Sequence, residues 1–230
     1  MSSQVLTSSK IQKLPLYFRF DCFLPEKMIA GTTHKACRDR AALYEDLNLK
    51  PENAVSLKQC HGNQIEWVNR GVLDEIPETD ALITRERGVL LTIRTADCVP
   101  LFIFDPVTST IALIHAGWRG AKTGIVAKTV KELEVQIGTK PENLIVALGP
   151  MIRCCCYEFD STSVPEFRPF MRGHNFDLSG YINEELSTCG VSRDSIFDSG
   201  FCTLCHPENF HSYRRDKEKS GRMISFMMLL

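Results

Sequence analysis

The sequence has no excess of charge of either sign: 27 basic residues stand against 28 acidic ones, a formal net charge of −1. A chain so balanced has no general electrostatic pull toward nucleic acid or an anionic bilayer, and such a partner would need a local basic patch. The densest basic run, Arg214-Arg215-Asp216-Lys217-Glu218-Lys219, is interleaved with acids and reads as a solvated turn. No uninterrupted apolar stretch approaches about 18 residues, so no membrane-spanning helix is expected. The apolar run at 223–230 has the length of a strand. Low-complexity linkers, fixed-period repeats and compositional breaks are missing too, which argues for a single domain over residues 1–230. Residues 1–15 are polar, carry only Lys10 and Lys13 as charges and resemble neither a secretory signal nor an Arg-rich transit peptide. A cytoplasmic protein, with 1–15 as a disordered tail, is expected.

What is present is ordinary for a globular protein. Hydrophobic residues make up 43% and charged residues 24% of 230 residues, enough for one substantial core. The ten cysteines would suggest disulfides in a small secreted domain, but in a longer chain without a signal they read as buried thiols with a few ligands among them. Strands are predicted at 16–23, 28–32, 54–59, 64–68, 81–84, 89–94, 99–104, 110–115, 144–148 and 223–229, and helices at 36–47, 122–137 and 178–189, the last closed by Gly190. Several strands, such as Leu101-Phe102-Ile103-Phe104, are apolar without alternation and so are expected to be covered on both faces. The expected class is α+β: a layered α/β/β/α sandwich of mixed β-sheets flanked by helices.

Three metal-ligating side chains lie at strand ends or turns: His61 in Gln59-Cys60-His61-Gly62, Cys98 in Ala96-Asp97-Cys98-Val99, and His115 in Ile114-His115-Ala116-Gly117-Trp118. Taken singly, each reads more simply as a structural residue. Together, two imidazoles and a thiolate suit zinc with a fourth position left open, which is a catalytic rather than a structural pattern. The turn between strands 99–104 and 110–115 predicts a hairpin that sets Val99 roughly opposite His115, bringing Cys98 and His115 to one end.

The strings Thr95-Ala96-Asp97-Cys98-Val99-Pro100-Leu101, His115-Ala116-Gly117-Trp118-Arg119-Gly120, Leu148-Gly149-Pro150 before Cys155-Cys156-Tyr157-Glu158, and Ser212-Tyr213-Arg214-Arg215-Asp216 resemble the laccase-domain or YfiH-like family. That family was first labelled multicopper polyphenol oxidase and is now understood as purine nucleoside phosphorylases. The likeness runs from about residue 40 to the C-terminus. Carried over residue by residue, it makes His61, Cys98 and His115 both the zinc ligands and the catalytic residues. It implies a usually dimeric enzyme that cleaves adenosine, inosine and 5′-methylthioadenosine with phosphate and also deaminates adenosine. The chain departs from the family where a Thr-Arg-x-Gly-Gly loop is common, and has Thr32-Thr33-His34-Lys35-Ala36 instead, with Lys35 in the place of the arginine.

Phosphorolysis needs cations at the phosphate, and Arg119, Arg214 and Arg215 are the candidates, with a surface ion pair as the plain alternative for each. Gly117 and Gly120 could offer backbone N–H groups to the same anion. Deamination needs a carboxylate that shuttles protons; Asp97 is the candidate, against a structural hydrogen bond to a turn. A true multicopper oxidase would need more imidazoles than the six present, so copper is not expected. Two rivals use the same residues: a cysteine hydrolase or deamidase built on Cys98 and His115, and a zinc-stabilised interaction protein without turnover. Cys202-Thr203-Leu204-Cys205-His206 matches a haem-attachment spacing, which needs export, or with His211 could form a second zinc site. Cys154-Cys155-Cys156, read as extended, would alternate faces and supply buried thiols only.

Overall fold

The longest strands form where both faces of the chain are apolar. In the computed structural model, which describes the backbone of Gln4–Val5 and residues 10–71 and 75–230, Val99–Asp105 and Thr110–Ala116 pair antiparallel and are buried throughout. Phe102, Phe104, Ile111 and Leu113 point into the space between two sheets, whereas Leu101, Ile103, Ala112 and Ile114 point outward under a layer of helices. The alternation expected of a strand is there, but both faces are dry.

The first sheet has seven strands in the order Gln4–Val5, Ile196–Asp198, Ile145–Leu148, Val99–Asp105, Thr110–Ala116, Ala81–Thr84, Ile65–Trp67. The second also has seven: Ile11–Lys13, Tyr17–Phe20, Met28–Thr33, Met223–Leu229, Leu90–Thr95, Ala54–Lys58, Glu75–Pro77. Both mix parallel and antiparallel pairs. Helices Ile125–Ile137 and Leu178–Thr188 cover the outer face of the first sheet through residues such as Ile125, Val130, Leu133, Ile182 and Leu186. The short helix Arg40–Asp46 covers the second, with Leu43 and Tyr44 against Leu90, Phe226 and Met228. The architecture is the α/β/β/α sandwich that the apolar pattern implied. Among the described residues, no helix is long and apolar enough to cross a membrane.

Several element boundaries differ from the periodicity, each for a local reason. The helix predicted at 36–47 begins only at Arg40, because Asp39 caps it by accepting from the Ala42 N–H at 2.9 Å. The helix predicted at 122–137 is two helices, Trp118–Lys122 and Ile125–Ile137, separated where Gly124 takes a left-handed φ of 73°. In the hairpin, Asp105 Oδ1 accepts from the backbone of Val107 and Thr108, and Asp105 pairs with Thr110. The register therefore places Pro100, one residue further than expected, opposite His115. Part of the tail expected at 1–15 lies outside the described residues, but Ile11–Lys13 form a strand against Phe18–Phe20, because Ile11 packs into the apolar clusters there.

Candidate active site

The site forms where the chain crosses between the two sheets. His61 lies on the crossing from Ala54–Lys58 to Ile65–Trp67, and Cys98 on the crossing from Leu90–Thr95 to Val99–Asp105. His115 lies near the end of Thr110–Ala116. Both crossings are sharp. His61 has φ 61° and Asp97, just before Cys98, has φ 88°, left-handed conformations that non-glycine residues seldom adopt. Such strain persists where the surroundings over-determine it, and here it turns two side chains toward a common point. The ligating atoms of His61, Cys98 and His115 all lie within 4.8 Å of one another. The two imidazoles meet edge to face with centroids 4.8 Å apart.

Behind the three stands a residue that the sequence did not single out. Asp80, fully buried, accepts from His115 Nδ1 at 2.7 Å and from the backbone N–H groups of Cys60, His61 and Gly62 at 3.2, 3.1 and 2.8 Å. The Cys60 thiol donates to the same carboxylate. Burial alone would push the Asp80 carboxyl up, but the hydrogen bonds from His115, Cys60 and Gly62 overcome it and hold it at about 2. As an ionised carboxylate Asp80 can only accept, so His115 Nδ1 carries the proton and Nε2 faces the cluster. This is the carboxylate–histidine arrangement that orients a metal-binding imidazole. Burial would raise the Cys98 thiol and lower His115. Their mutual attraction, with Asp80 behind His115 and His61 beside Cys98, reverses both, bringing Cys98 down to about 6 and His115 up to about 9.

The glycines of His115-Ala116-Gly117-Trp118-Arg119-Gly120 have a packing role. A Cβ on Gly117 would sit 2.9 Å from Cys98 Sγ and 3.3 Å from His61 Cδ2, and one on Gly120 would sit 2.9 Å from the Gly62 carbonyl. They let the strand end and the short helix Trp118–Lys122 close onto the ligand loops.

The cluster opens into a cavity of about 820 Å³. Its wall includes the aromatic rings of Trp118, Tyr157 and Tyr213 and six cations: Lys58, Arg94, Arg119, Arg214, Lys217 and Arg222. Of the arginines named from the sequence, Arg119 is exposed at the cavity, stacks on Trp118 at 4.4 Å and makes no ion pair among the described residues. Arg214 lies over Tyr157 at 5.3 Å and donates to the Glu158 carbonyl. Arg215 is not among the lining residues; its guanidinium grips Asp216 and reaches the carbonyls of Thr203 and Phe210. Among the described residues, Asp97 is the one acid in the wall, and its carboxylate oxygens accept from Thr203 Oγ1 at 2.6 Å and from the Arg214 N–H at 2.6 Å. Lys35 also lies outside the lining; its N–H is tied to the Asn209 carbonyl.

The cysteine-rich segments differ from their reading as sequence. Residues 154–156 form a turn, not an extended strand, with Cys156 N–H and Tyr157 N–H both donating to the Arg153 carbonyl. Cys155 and Cys156 therefore face the same side, where they meet Cys202 and Cys205. His206 and His211 are not in that group: His206 Nδ1 bonds the Cys202 carbonyl, and the His211 ring lies against Gly221.

Residues 30–230 match the family model described as multi-copper polyphenol oxidoreductase laccase. A purine nucleoside phosphorylase from Geobacillus stearothermophilus, YlmD, is 33% identical over 210 residues, covering 82% of this chain and 77% of that protein. The crystal structure of YlmD from that organism superposes with a TM-score of 0.86 at 29% identity over 95% of this chain and 97% of that one. A Bacillus licheniformis protein, YfiH, superposes at 0.88 with 25% identity over 96% of this chain and 99% of that one. The chain belongs to the laccase-domain family of YlmD- and YfiH-like proteins, the purine nucleoside phosphorylase-like family.

Proposed function

We propose that this chain is a purine nucleoside phosphorylase that cleaves adenosine, inosine and 5′-methylthioadenosine with inorganic phosphate, with a single zinc ion held by His61, Cys98 and His115. The observation that carries the reading is the cavity: three converging ligands open onto a wall of six cations and three aromatic rings, in a chain whose overall charge is −1. Such a wall concentrates a dianion and offers flat faces to a purine.

The donor set fits the metal. His115 Nδ1 is committed to Asp80, so Nε2 is left to ligate, and Cys98 is already biased toward thiolate. Held there, zinc supplies a Lewis acid. The chain's own residues supply the rest. Arg119 and Arg214 orient a phosphate oxygen toward C1′ of the sugar, whose charge grows as the bond to the purine nitrogen breaks. The bonding pair leaves with the purine, which takes up a proton, and the new C1′–O bond gives ribose 1-phosphate or its methylthio analogue.

A second reading draws on a specific geometry. Cys98, His115 and Asp80 are ordered as nucleophile, base and orienting carboxylate, the arrangement of a cysteine hydrolase. That reading leaves His61 without a task, whereas the zinc reading uses all three converging ligands.

The test is base release from adenosine, inosine and 5′-methylthioadenosine by purified protein with and without phosphate, with zinc content recorded. Base and sugar 1-phosphate should appear only with phosphate. Cys98→Ala, folded by circular dichroism, should lose at least about a thousandfold in turnover. Inosine formed from adenosine without phosphate reads the deaminase activity separately. Absence of turnover on all three nucleosides by zinc-loaded protein would refute the proposal.

A further inference from the structure

We propose that Cys155, Cys156, Cys202 and Cys205 form a second metal site, a four-thiolate cage for one zinc ion that clamps together two turns of the cavity's far wall. The four sulfurs lie within 4.8 Å of one another, with Cys155 to Cys205 at 3.7 Å and Cys156 to Cys205 at 3.3 Å. Zinc bound tetrahedrally at about 2.3 Å holds its sulfurs about 3.8 Å apart, so one ion fits with side-chain shifts of about an ångström or less. A polynuclear iron–sulfur cluster spreads its thiolates wider than this group does.

The backbone builds the cage from two separate turns. Thr203 N–H donates to the Met151 carbonyl, and Met151 and Cys202 form an isolated parallel bridge, which sets the Cys202-Thr203-Leu204-Cys205 loop beside the turn at 154–156. Each turn contributes two sulfurs. Four sulfurs fill a tetrahedron and leave no open position, so the ion here is structural, in contrast to the three-ligand site at His61, Cys98 and His115.

The cage lies where the fold has least regular structure. Between Ile145–Leu148 and Leu178–Thr188, and again between Ile196–Asp198 and Met223–Leu229, the chain has turns, two-residue strands and helices of six residues or fewer. Tyr157, in the cavity wall, follows Cys156 directly, and Thr203, inside the Cys202–Cys205 loop, is the residue that donates to Asp97. One ion linking the two turns fixes both, without depending on the phosphorylase reading.

The experiment uses the full chain carrying Cys98→Ala, which removes a ligand from the first site, purified with a non-chelating reductant. About one zinc per chain should remain, and X-ray absorption at the zinc edge should show four sulfur neighbours at about 2.3 Å. Adding Cys205→Ser should reduce bound zinc to below about a tenth per chain. If that double variant does not fold, the absorption spectrum of Cys98→Ala decides alone. Zinc-free Cys98→Ala whose thiols react with an alkylating reagent, a nitrogen-rich zinc shell, another metal in stoichiometric amount, or a disulfide among the four cysteines would each overturn the proposal.

Discussion

The two walls of the cavity are each organised by an aspartate, and the two aspartates work differently. On the ligand wall, Asp80 collects donors from one short loop and one neighbouring strand: the backbone of residues 60–62, the Cys60 thiol and His115. Its partners include two of the three converging side chains, His61 and His115, so its charge reaches the cluster. On the far wall, Asp97 joins Thr203 and the Arg214 backbone, 106 and 117 residues away in sequence, and its partners are neutral groups. The first brace fixes where ligands point; the second fixes where a loosely structured wall sits. Positions held by strand ends tolerate little displacement, which suits metal ligation, whereas a wall tied by a few long-range links can adjust to a substrate.

The sharpest way to break this comparison is to neutralise both braces. Asp80→Asn cannot accept from all its donors and puts an amide N–H₂ among backbone N–H groups, so metal affinity should fall about 10–100-fold in chelator competition. Asp97→Asn keeps a residue that tolerates the left-handed φ of 88° and can still accept one hydrogen bond. It should keep metal affinity within roughly threefold while raising KM for the nucleoside about tenfold. Equal loss of metal from both variants would mean that the walls are one unit.

A smaller effect separates the arginines. Arg119→Gln removes a guanidinium that stacks on Trp118 at the cavity and makes no ion pair among the described residues, so it should raise KM for phosphate roughly tenfold, with Tm unchanged. Arg215→Gln removes a group that ties Asp216 to two carbonyls of the far wall, so it should lower Tm by about 3–6 °C and leave KM for phosphate within about twofold. The reverse pattern in phosphate kinetics and thermal melts would exchange the two roles.

What could be read from the sequence divides along the same line. Strands such as Val99–Asp105 and Met223–Leu229 were visible because continuous apolar character needs only local information. Cys98 and His115, at the ends of such strands, were visible with them as candidates. Asp80 was not, because its importance rests on Ala81–Thr84 pairing with Thr110–Ala116, which sets Asp80 beside His115; nothing in Thr79-Asp80-Ala81 specifies a partner 35 residues away. The thiol cage was hidden for a related reason. An extended reading of 154–156 points adjacent cysteines to opposite faces, and only the turn on the Arg153 carbonyl brings Cys155 and Cys156 together. The strand order in each sheet was equally out of reach, since mixed pairing between strands distant in sequence leaves no periodic trace.

A third carboxylate, belonging to neither brace, sharpens the contrast with Asp80. Glu185 reaches from Leu178–Thr188 to the start of Ile125–Ile137, where Gly124 has no side chain to cap the helix, and accepts from the Ala127 N–H at 3.2 Å. Its other oxygen is buried without a hydrogen-bond partner among the described residues. Burial pushes the Glu185 carboxyl up from 4.5 to about 7, only partly opposed by the Ala127 hydrogen bond. With the folded value above the unfolded one, the folded state binds more protons between those values. The stabilising contribution is complete below about pH 4.5 and is lost as pH rises through about 7. Glu185→Gln keeps an acceptor for Ala127 and has nothing to titrate. Thermal melts should therefore show the variant level with the parent at pH 4.5, provided the shared acid-sensitive groups cancel. At pH 8 it should be more stable by about 1–3 kcal/mol, which is several degrees in Tm. A constant difference across that range would mean that Glu185 is ionised at all pH values tested and that one backbone donor suffices to hold a buried carboxylate, removing the distinction from Asp80.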